Sequence, residues 1–149
     1  MEVLALLKDK ARTVLTIASH QTVDDAICLM ASGQVSTLLV TENDQPAGIF
    51  RARDVCHTYL RNKSTAFSEI ILEKAMTRNF LVAEPKDAVT VMMARMIQAD
   101  ITHLPVMEEK RIVGMLTLKD LLEHQIEALT DEIHQLRDYI ADLHDAGQY

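Results

Sequence analysis

Apolar and polar positions alternate along the chain in short blocks with two different periods. Between Val23 and Gly33, Ala26, Ile27, Met30 and Ala31 recur at helical spacing. Thr22 stands before them as an N-cap, Asp24 and Asp25 fill the first turn, and Gly33 marks the end. The run Ser36-Thr-Leu-Leu-Val40 then reads as a buried strand, residues 42–48 as a turn, and Gly48-Ile-Phe50 as the returning strand. A helix follows from Asp54 to Lys63. The same order returns later in the chain. Asp87 to Ala99 is a helix with Val89, Met92, Met93, Met96 and Ile97 on its apolar face. Residues 102–107 and 112–116 form a hairpin around 108–111, and a long helix begins near Leu118. Strand, helix, strand, strand, helix, twice over, predicts an α/β (α+β) protein with small sheets covered by helices.

The recurrence is an internal repeat with a fixed offset of 66 residues. Val23 falls on Val89, Met30 on Met96, Leu38 on Leu104, Val40 on Val106, Gly48 on Gly114 and Asp54 on Asp120, with no gap across residues 17–54. A Gly and an Asp six apart after an apolar run, in both copies, point to two copies of one supersecondary unit. Each copy is too small to be stable alone and stacks on the other to bury a shared core.

Two segments, Gly48-Ile-Phe-Arg-Ala-Arg-Asp54 and Gly114-Met-Leu-Thr-Leu-Lys-Asp120, resemble the Gly-h-h-Thr/Ser-x-x-Asp motif (h apolar) of cystathionine-β-synthase (CBS) domains. His103-Leu-Pro-Val106 is similar to that family's second strand, and Leu15-Thr-Ile17 to the leading strand of a repeat. The resemblance covers about residues 5–122. It implies a tandem CBS pair, or Bateman module, with repeats at 1–67 and 68–121 and a helical extension at 122–149.

Thr117 lies where strand hands over to helix. Its hydroxyl can donate to a phosphate toward which the first N–H groups of the helix also point. Asp120, in the first helical turn, can accept from two ribose hydroxyls, and Gly114 permits close backbone approach. The set suits an adenosine-type ligand. The same two residues equally suit helix capping, and residue types alone leave both readings open. In the resembled family each nucleotide cleft joins the Asp motif of one repeat to the leading strand of the other. That places Thr16, His103, Pro105, Gly114, Thr117 and Asp120 at one cleft. The second cleft holds Gly48, Arg51, Arg53 and Asp54, with Arg51 replacing the motif hydroxyl and Val82 replacing the leading-strand Thr. Arg51 either binds a phosphate itself or fills the cleft. His103 is either a cation facing the cleft or a satisfied, partly buried histidine. Arg53 and Lys119 read first as solvated helix-face residues. The implied ligand is AMP, ADP or ATP, with NAD or S-adenosylmethionine as further members of the class.

Composition narrows the remaining classes. The chain has 149 residues, 48% of them apolar and 25% charged, with a net charge of −7, which suits a soluble fold and disfavours nonspecific nucleic-acid binding. Trp is absent and Phe plus Tyr number six, too few for a base-stacking platform. No apolar run approaches the ~18 residues that span a bilayer. The N-terminus lacks a signal-peptide pattern, and the two cysteines, Cys28 and Cys56, form no CxxC. A cytoplasmic setting is expected. There is no HExxH, GxSxG, P-loop or GxGxxG, and Cys56-His57 diverge by about 100° on a helix. Catalysis is not expected, and no metal or required cofactor is implied.

Residues 121–149 hold seven acidic residues and one basic residue, Arg137, while the other 120 carry 15 and 14. Within this acidic tail Leu122, Ile126, Leu129, Ile133, Leu136, Ile140 and Leu143 step by 4 and 3. Ile at a and Leu at d of a heptad favour two parallel strands, so a homodimer is expected. A lone amphipathic helix folded back on its own module is the competing reading. Whatever the module regulates is expected to be a separate protein bound in trans.

Overall fold

The computed structural model describes residues 2–9 and 14–147. Its strands are β1 (Thr16–Ala18), β2 (Thr37–Glu42), β3 (Gln45–Arg51), β4 (His103–Glu108) and β5 (Arg111–Thr117). Its helices are α1 (Val3–Asp9), α2 (Val23–Gly33), α3 (Ala52–Arg61), α4 (Leu72–Ala75), α5 (Val89–Ala99) and α6 (Leu118–Asp145), with a 3₁₀ turn at Phe67–Glu69. One sheet has the order β1-β2-β3, with β1 parallel and β3 antiparallel to β2. The other is the antiparallel hairpin β4-β5.

The 66-residue offset holds down to the backbone. Both hairpins, and α2 with α5, correspond in number residue for residue. The register slip between Val40 and Thr41 recurs between Val106 and Met107. Left-handed residues recur as well: Asn43 and Asp44 (φ 53° and 62°) match Glu109 and Lys110 (φ 50° and 64°). Two consecutive positive φ values make tight two-residue hairpin turns. The turns are therefore shorter than the stretches 42–48 and 108–111 suggest, and β3 and β5 start earlier. The left-handed residue closing α2 is Gln34 (φ 54°), matched by Asp100 (φ 55°) after α5, while Gly33 stays helical. α3 starts at Ala52 rather than Asp54, and α5 at Val89 rather than Asp87.

The leading strands differ, and two prolines explain it. In the first repeat Leu39 N–H donates to the Leu15 carbonyl (3.0 Å) and Ser19 N–H to that of Thr41 (2.8 Å). The corresponding donors in the second repeat are Pro105 and Pro85, which have no N–H. Only the bonds around Ala83 survive: its N–H donates to Pro105 O (2.9 Å) and its carbonyl accepts from Met107 N–H (2.8 Å). The expected second leading strand is thus a single parallel bridge, Ala83 to Val106.

Packing crosses the sequence boundary between repeats. The first core joins Ile17, Val23, Met30, Leu38 and Phe50 to Ile70, Leu72 and Met76, which follow residue 67. The second core joins Val89, Met92, Met96, Leu104 and Leu116 to Val3 and Leu6 of α1. α1 is tied there by Val3 N–H to Asp87 O and Leu4 N–H to Pro85 O, both 2.8 Å. Leu39, Ile49 and Met115 form a third cluster between the sheets. The apolar faces of α2 and α5 are buried or half-buried except at Ala31 and Ile97, which are exposed.

Candidate functional site

Both Asp motifs fold into the same backbone device, a strand end that becomes a helix start, with the Asp carboxylate accepting from the N–H of the residue three before it. At β5–α6, Thr117 Oγ1 accepts from Asp120 N–H (3.1 Å), and Asp120 Oδ2 accepts from Thr117 N–H (2.9 Å). Asp120 is buried. The capping reading of these two residues is therefore realised. It uses the Thr117 hydroxyl as an acceptor, and a hydroxyl so used keeps a proton to donate.

At β3–α3 the hydroxyl is missing and the outcome differs. Arg51 N–H donates to Asp54 Oδ2 (2.8 Å), but an arginine side chain has no acceptor to offer the helix. Its guanidinium folds back instead. Nε lies 3.3 Å from Asp54 Oδ2, and Nη2 lies 3.5 Å from Oδ1 and 3.2 Å from Thr77 Oγ1. Thr77 Oγ1 in turn donates to Asp54 Oδ1 (3.2 Å). Arg51, Asp54 and Thr77 thus close a ring that engages both carboxylate oxygens. The side chains of Arg51 and Asp54 are 18% and 7% exposed.

Two cavities flank the middle of the molecule. The larger, about 300 Å³, has an apolar wall of Val14, Leu15, Val35 and Met115 and a polar edge of Thr37, His103 and Thr117. The smaller, about 180 Å³, is lined by Arg51, Arg53, Thr77, Asn79, Asp100 and His103, among others. His103 borders both. Its Nε2 lies 3.2 Å from Thr37 Oγ1 and its Nδ1 3.1 Å from Thr102 Oγ1. Thr37 and His103 are themselves partners under the 66-residue offset, so this bond marks the pseudo-twofold centre between repeats.

The remaining candidates divide. Thr16 pairs with Leu39 in β1 and lines a separate shallow groove with Gln21 and Asp25; the structure does not bring it to the Thr117 cavity, whose wall from that segment is Val14 and Leu15. Val82 borders another groove, with Lys86 and Glu108. Pro105 is buried in β4 opposite Met115 and lines neither cavity. Gly114 is buried opposite Val106. Arg53 is exposed at the rim of the smaller cavity. Lys119 is exposed and lies 3.8 Å from Glu123, on the solvated face. Among the described residues no group of three or more His, Cys, Asp or Glu is placed to hold a metal. Cys28 and Cys56 are exposed and unbridged.

Thr77 is the site residue that sequence reasoning missed, and Gly48 carried the signal. Ile49 and Thr77 exchange backbone bonds, N–H to O at 2.9 and 2.8 Å. A Cβ on Gly48 would lie 2.6 Å from Met76 Sδ and 2.9 Å from Thr77 O. A strand residue forced to be Gly therefore announces the chain that crosses it. The positions corresponding to 76–79 by the offset, 10–13, lie outside the described residues.

Two strand-to-helix junctions, each with its Asp and related by the 66-residue offset, agree with the comparison to known families, in which the CBS domain matches residues 8–61 and again 68–127. The chain belongs to the CBS domain family. It is a tandem CBS pair with a long C-terminal helix. A protein with CBS domains from Burkholderia ambifaria MC40-6 is 30% identical, with a TM-score of 0.73 covering 85% of this chain and 95% of that one. The CBS domain-containing protein YhcV of Bacillus subtilis is 27% identical over 142 residues, 89% of this chain and 98% of its own. The CBS domain pair of protein MJ0100, solved in complex with 5′-methylthioadenosine and S-adenosyl-L-methionine, is 21% identical with a TM-score of 0.70, covering 86% of this chain and 98% of that one. At that identity the likeness concerns the fold. The chain spans only 16–21% of the length of several larger curated relatives that it also matches. No helix among the described residues is long and apolar enough to cross a membrane.

Proposed function

We propose that this CBS pair is a non-catalytic regulatory module that binds one adenosine-type nucleotide, of the AMP, ADP or ATP class, in the cavity beside Thr117 and Asp120. The observation that carries the reading is the lining of the Thr117 cavity. The Thr117 cavity combines an apolar wall with a hydroxyl, an imidazole and a helix N-terminus. Apolar lining with a few placed polar groups is the usual build of a small-molecule site, and its volume lies at the lower end of the roughly 300–1,000 Å³ range. It suits a mononucleotide better than NAD. The Asp54 cleft already contains its own cation. Adenosine ligands on MJ0100 support the ligand class by kinship of fold. Within this reading the nucleotide state is passed to a separate protein in trans, in the cytoplasm.

A ligand-free interaction scaffold is the second reading. It is favoured by the closed Arg51–Asp54–Thr77 ring and by the capping role of Asp120. A thermal-shift panel of AMP, ADP, ATP, GMP, NAD and S-adenosylmethionine separates the two. A ligand at 100 times its Kd stabilises the fold by ~2.7 kcal/mol. Stabilisation by an adenine nucleotide that Asp120→Ala removes supports the sensor. No shift with any compound at millimolar concentration leaves the scaffold.

A further inference from the structure

α6 carries the largest feature that the nucleotide reading does not use. It begins as the counterpart of α3, which ends at Arg61. Under the offset, that end corresponds to residue 127, where the CBS family match also stops. The helix nevertheless runs on to Asp145, a further ~27 Å at 1.5 Å per residue. Its only buried residues are Asp120 and Leu121. From Leu122 to Ile140 the Ile and Leu seam is 39–62% exposed. Residues of the chain's own body therefore do not cover it, and the folded-back arrangement is absent from the described residues.

We propose that a second copy of this chain covers the seam, the two α6 helices forming a parallel two-stranded coiled coil over residues 122–143. Ile126, Ile133 and Ile140 take a and the leucines take d, the combination that selects two parallel strands. The charges agree independently. In that frame Glu127, Asp131, Asp138, Asp142 and Asp145 fall at b, c and f, on the outside of the pair. Glu132 falls at g and Arg137, the one basic residue after Leu121, at the following e. A parallel pair brings Glu132 of each strand against Arg137 of the other, and no g–e contact joins like charges. The geometry also has a consequence for the body. Parallel strands start at the same end, so both Thr117–Asp120 caps lie at the root of one coil. The two nucleotide cavities are then held side by side, on helices whose first turn is the site and whose remainder is the dimer seam.

The test uses the full chain with Cys28 and Cys56 replaced by Ser, and does not depend on any nucleotide. Sedimentation should show a dimer at micromolar concentration. Ile133→Asp, which changes a side chain exposed in the single chain, should weaken it by at least about 100-fold while the secondary structure and melting of the body persist. Glu132→Lys should weaken the dimer about 3- to 10-fold, and adding Arg137→Glu should restore it. Leu143→Cys should cross-link into covalent dimers on mild oxidation. A full-length monomer overturns the proposal. So does a dimer indifferent to Ile133→Asp, which would belong to helices of the body. A dimer that Ile133→Asp disrupts but Leu143→Cys fails to cross-link overturns the parallel orientation.

Discussion

Arg51→Thr should convert a module with one nucleotide site into a module with two. The substitution installs in the first motif the hydroxyl that its counterpart Thr117 already has. Three guanidinium contacts at 3.2–3.5 Å disappear. These are long for charge-assisted bonds, and together they contribute about 1–3 kcal/mol. Against that, the introduced hydroxyl can accept from the Asp54 N–H, as Thr117 accepts from Asp120 at 3.1 Å and Thr22 from Asp25 at 3.2 Å. A Thr N-cap contributes roughly 0.5–2 kcal/mol over a non-capping residue. The two changes offset each other to within about 1–2 kcal/mol, so Tm should move by no more than roughly 2–8 °C in a chain this size. The functional change is larger. The smaller cavity, about 180 Å³ with the guanidinium in it, gains the volume that the side chain vacates. Asp54 then keeps the Thr77 hydroxyl and the backbone N–H at residue 51 as partners and regains room to accept from a ligand. Titration calorimetry with AMP should show a stoichiometry near one for the parent chain and near two for the variant. A parent stoichiometry of two would show that Arg51 already serves as a phosphate ligand. An unchanged stoichiometry of one in a folded variant would show that the guanidinium is not what closes the site.

Asp120→Ala should remove two charge-assisted hydrogen bonds to the ligand, a loss of about 30- to 1000-fold in affinity by calorimetry, together with about 1 kcal/mol of helix capping in chemical denaturation. Asp54→Ala should leave nucleotide affinity within a few-fold yet cost about 2–4 kcal/mol of stability, because it strands a largely buried guanidinium and removes a cap. Gly48→Ala should destabilise the fold by about 1–3 kcal/mol, since the new Cβ meets Met76 Sδ and the Thr77 carbonyl at 2.6 and 2.9 Å; an unchanged denaturation midpoint would mean that the 76–77 segment is loosely held. Raising the salt concentration tenfold should tighten the α6 dimer only a few-fold, because the repelling carboxylates lie on outer faces; loosening with salt would make the Glu132–Arg137 pair the dominant electrostatic contribution.

Much of the fold was legible because the repeat reports itself twice. A register slip, two turns and two helix ends recur at one offset, and any one of them checks the other. What stayed hidden depends on contacts that sequence distance conceals. Nothing local in residues 3–9 says that they join the core of the second repeat rather than the repeat they precede; the burial of Val3 and Leu6 there and the bonds to Pro85 and Asp87 fix it. The family resemblance assigns Thr16 to the nucleotide cleft as the hydroxyl of its strand. In the structure that segment turns Val14 and Leu15 toward the cavity instead. Glu109 and Lys110 adopt left-handed backbone with neither Gly nor Asn present, so local propensity did not mark a two-residue turn; the strand pairing on either side imposes it. The two prolines that shorten the second leading strand were readable in principle. They became informative only once the partners of Ser19 and Leu39 were known.

Capping and ligand binding at Thr117 and Asp120 do not exclude each other, and the direction of each hydrogen bond shows why. A cap needs the threonine as acceptor and one carboxylate oxygen. A phosphate needs the threonine as donor. One hydroxyl supplies both roles at once, so capping orients Thr117 and leaves its donor capacity intact. It also holds Asp120 in place through Oδ2. At the other cleft the roles are distributed differently. Arg51 supplies donors but no acceptor, and its donors are turned inward onto the carboxylate that a ribose would need. The Thr77 hydroxyl accepts from Arg51 and donates to Asp54. That exhausts the hydroxyl proton on the protein itself. Arg51 in place of a hydroxyl thus leaves the first junction satisfied within the protein, with the backbone of both strand-to-helix junctions kept alike.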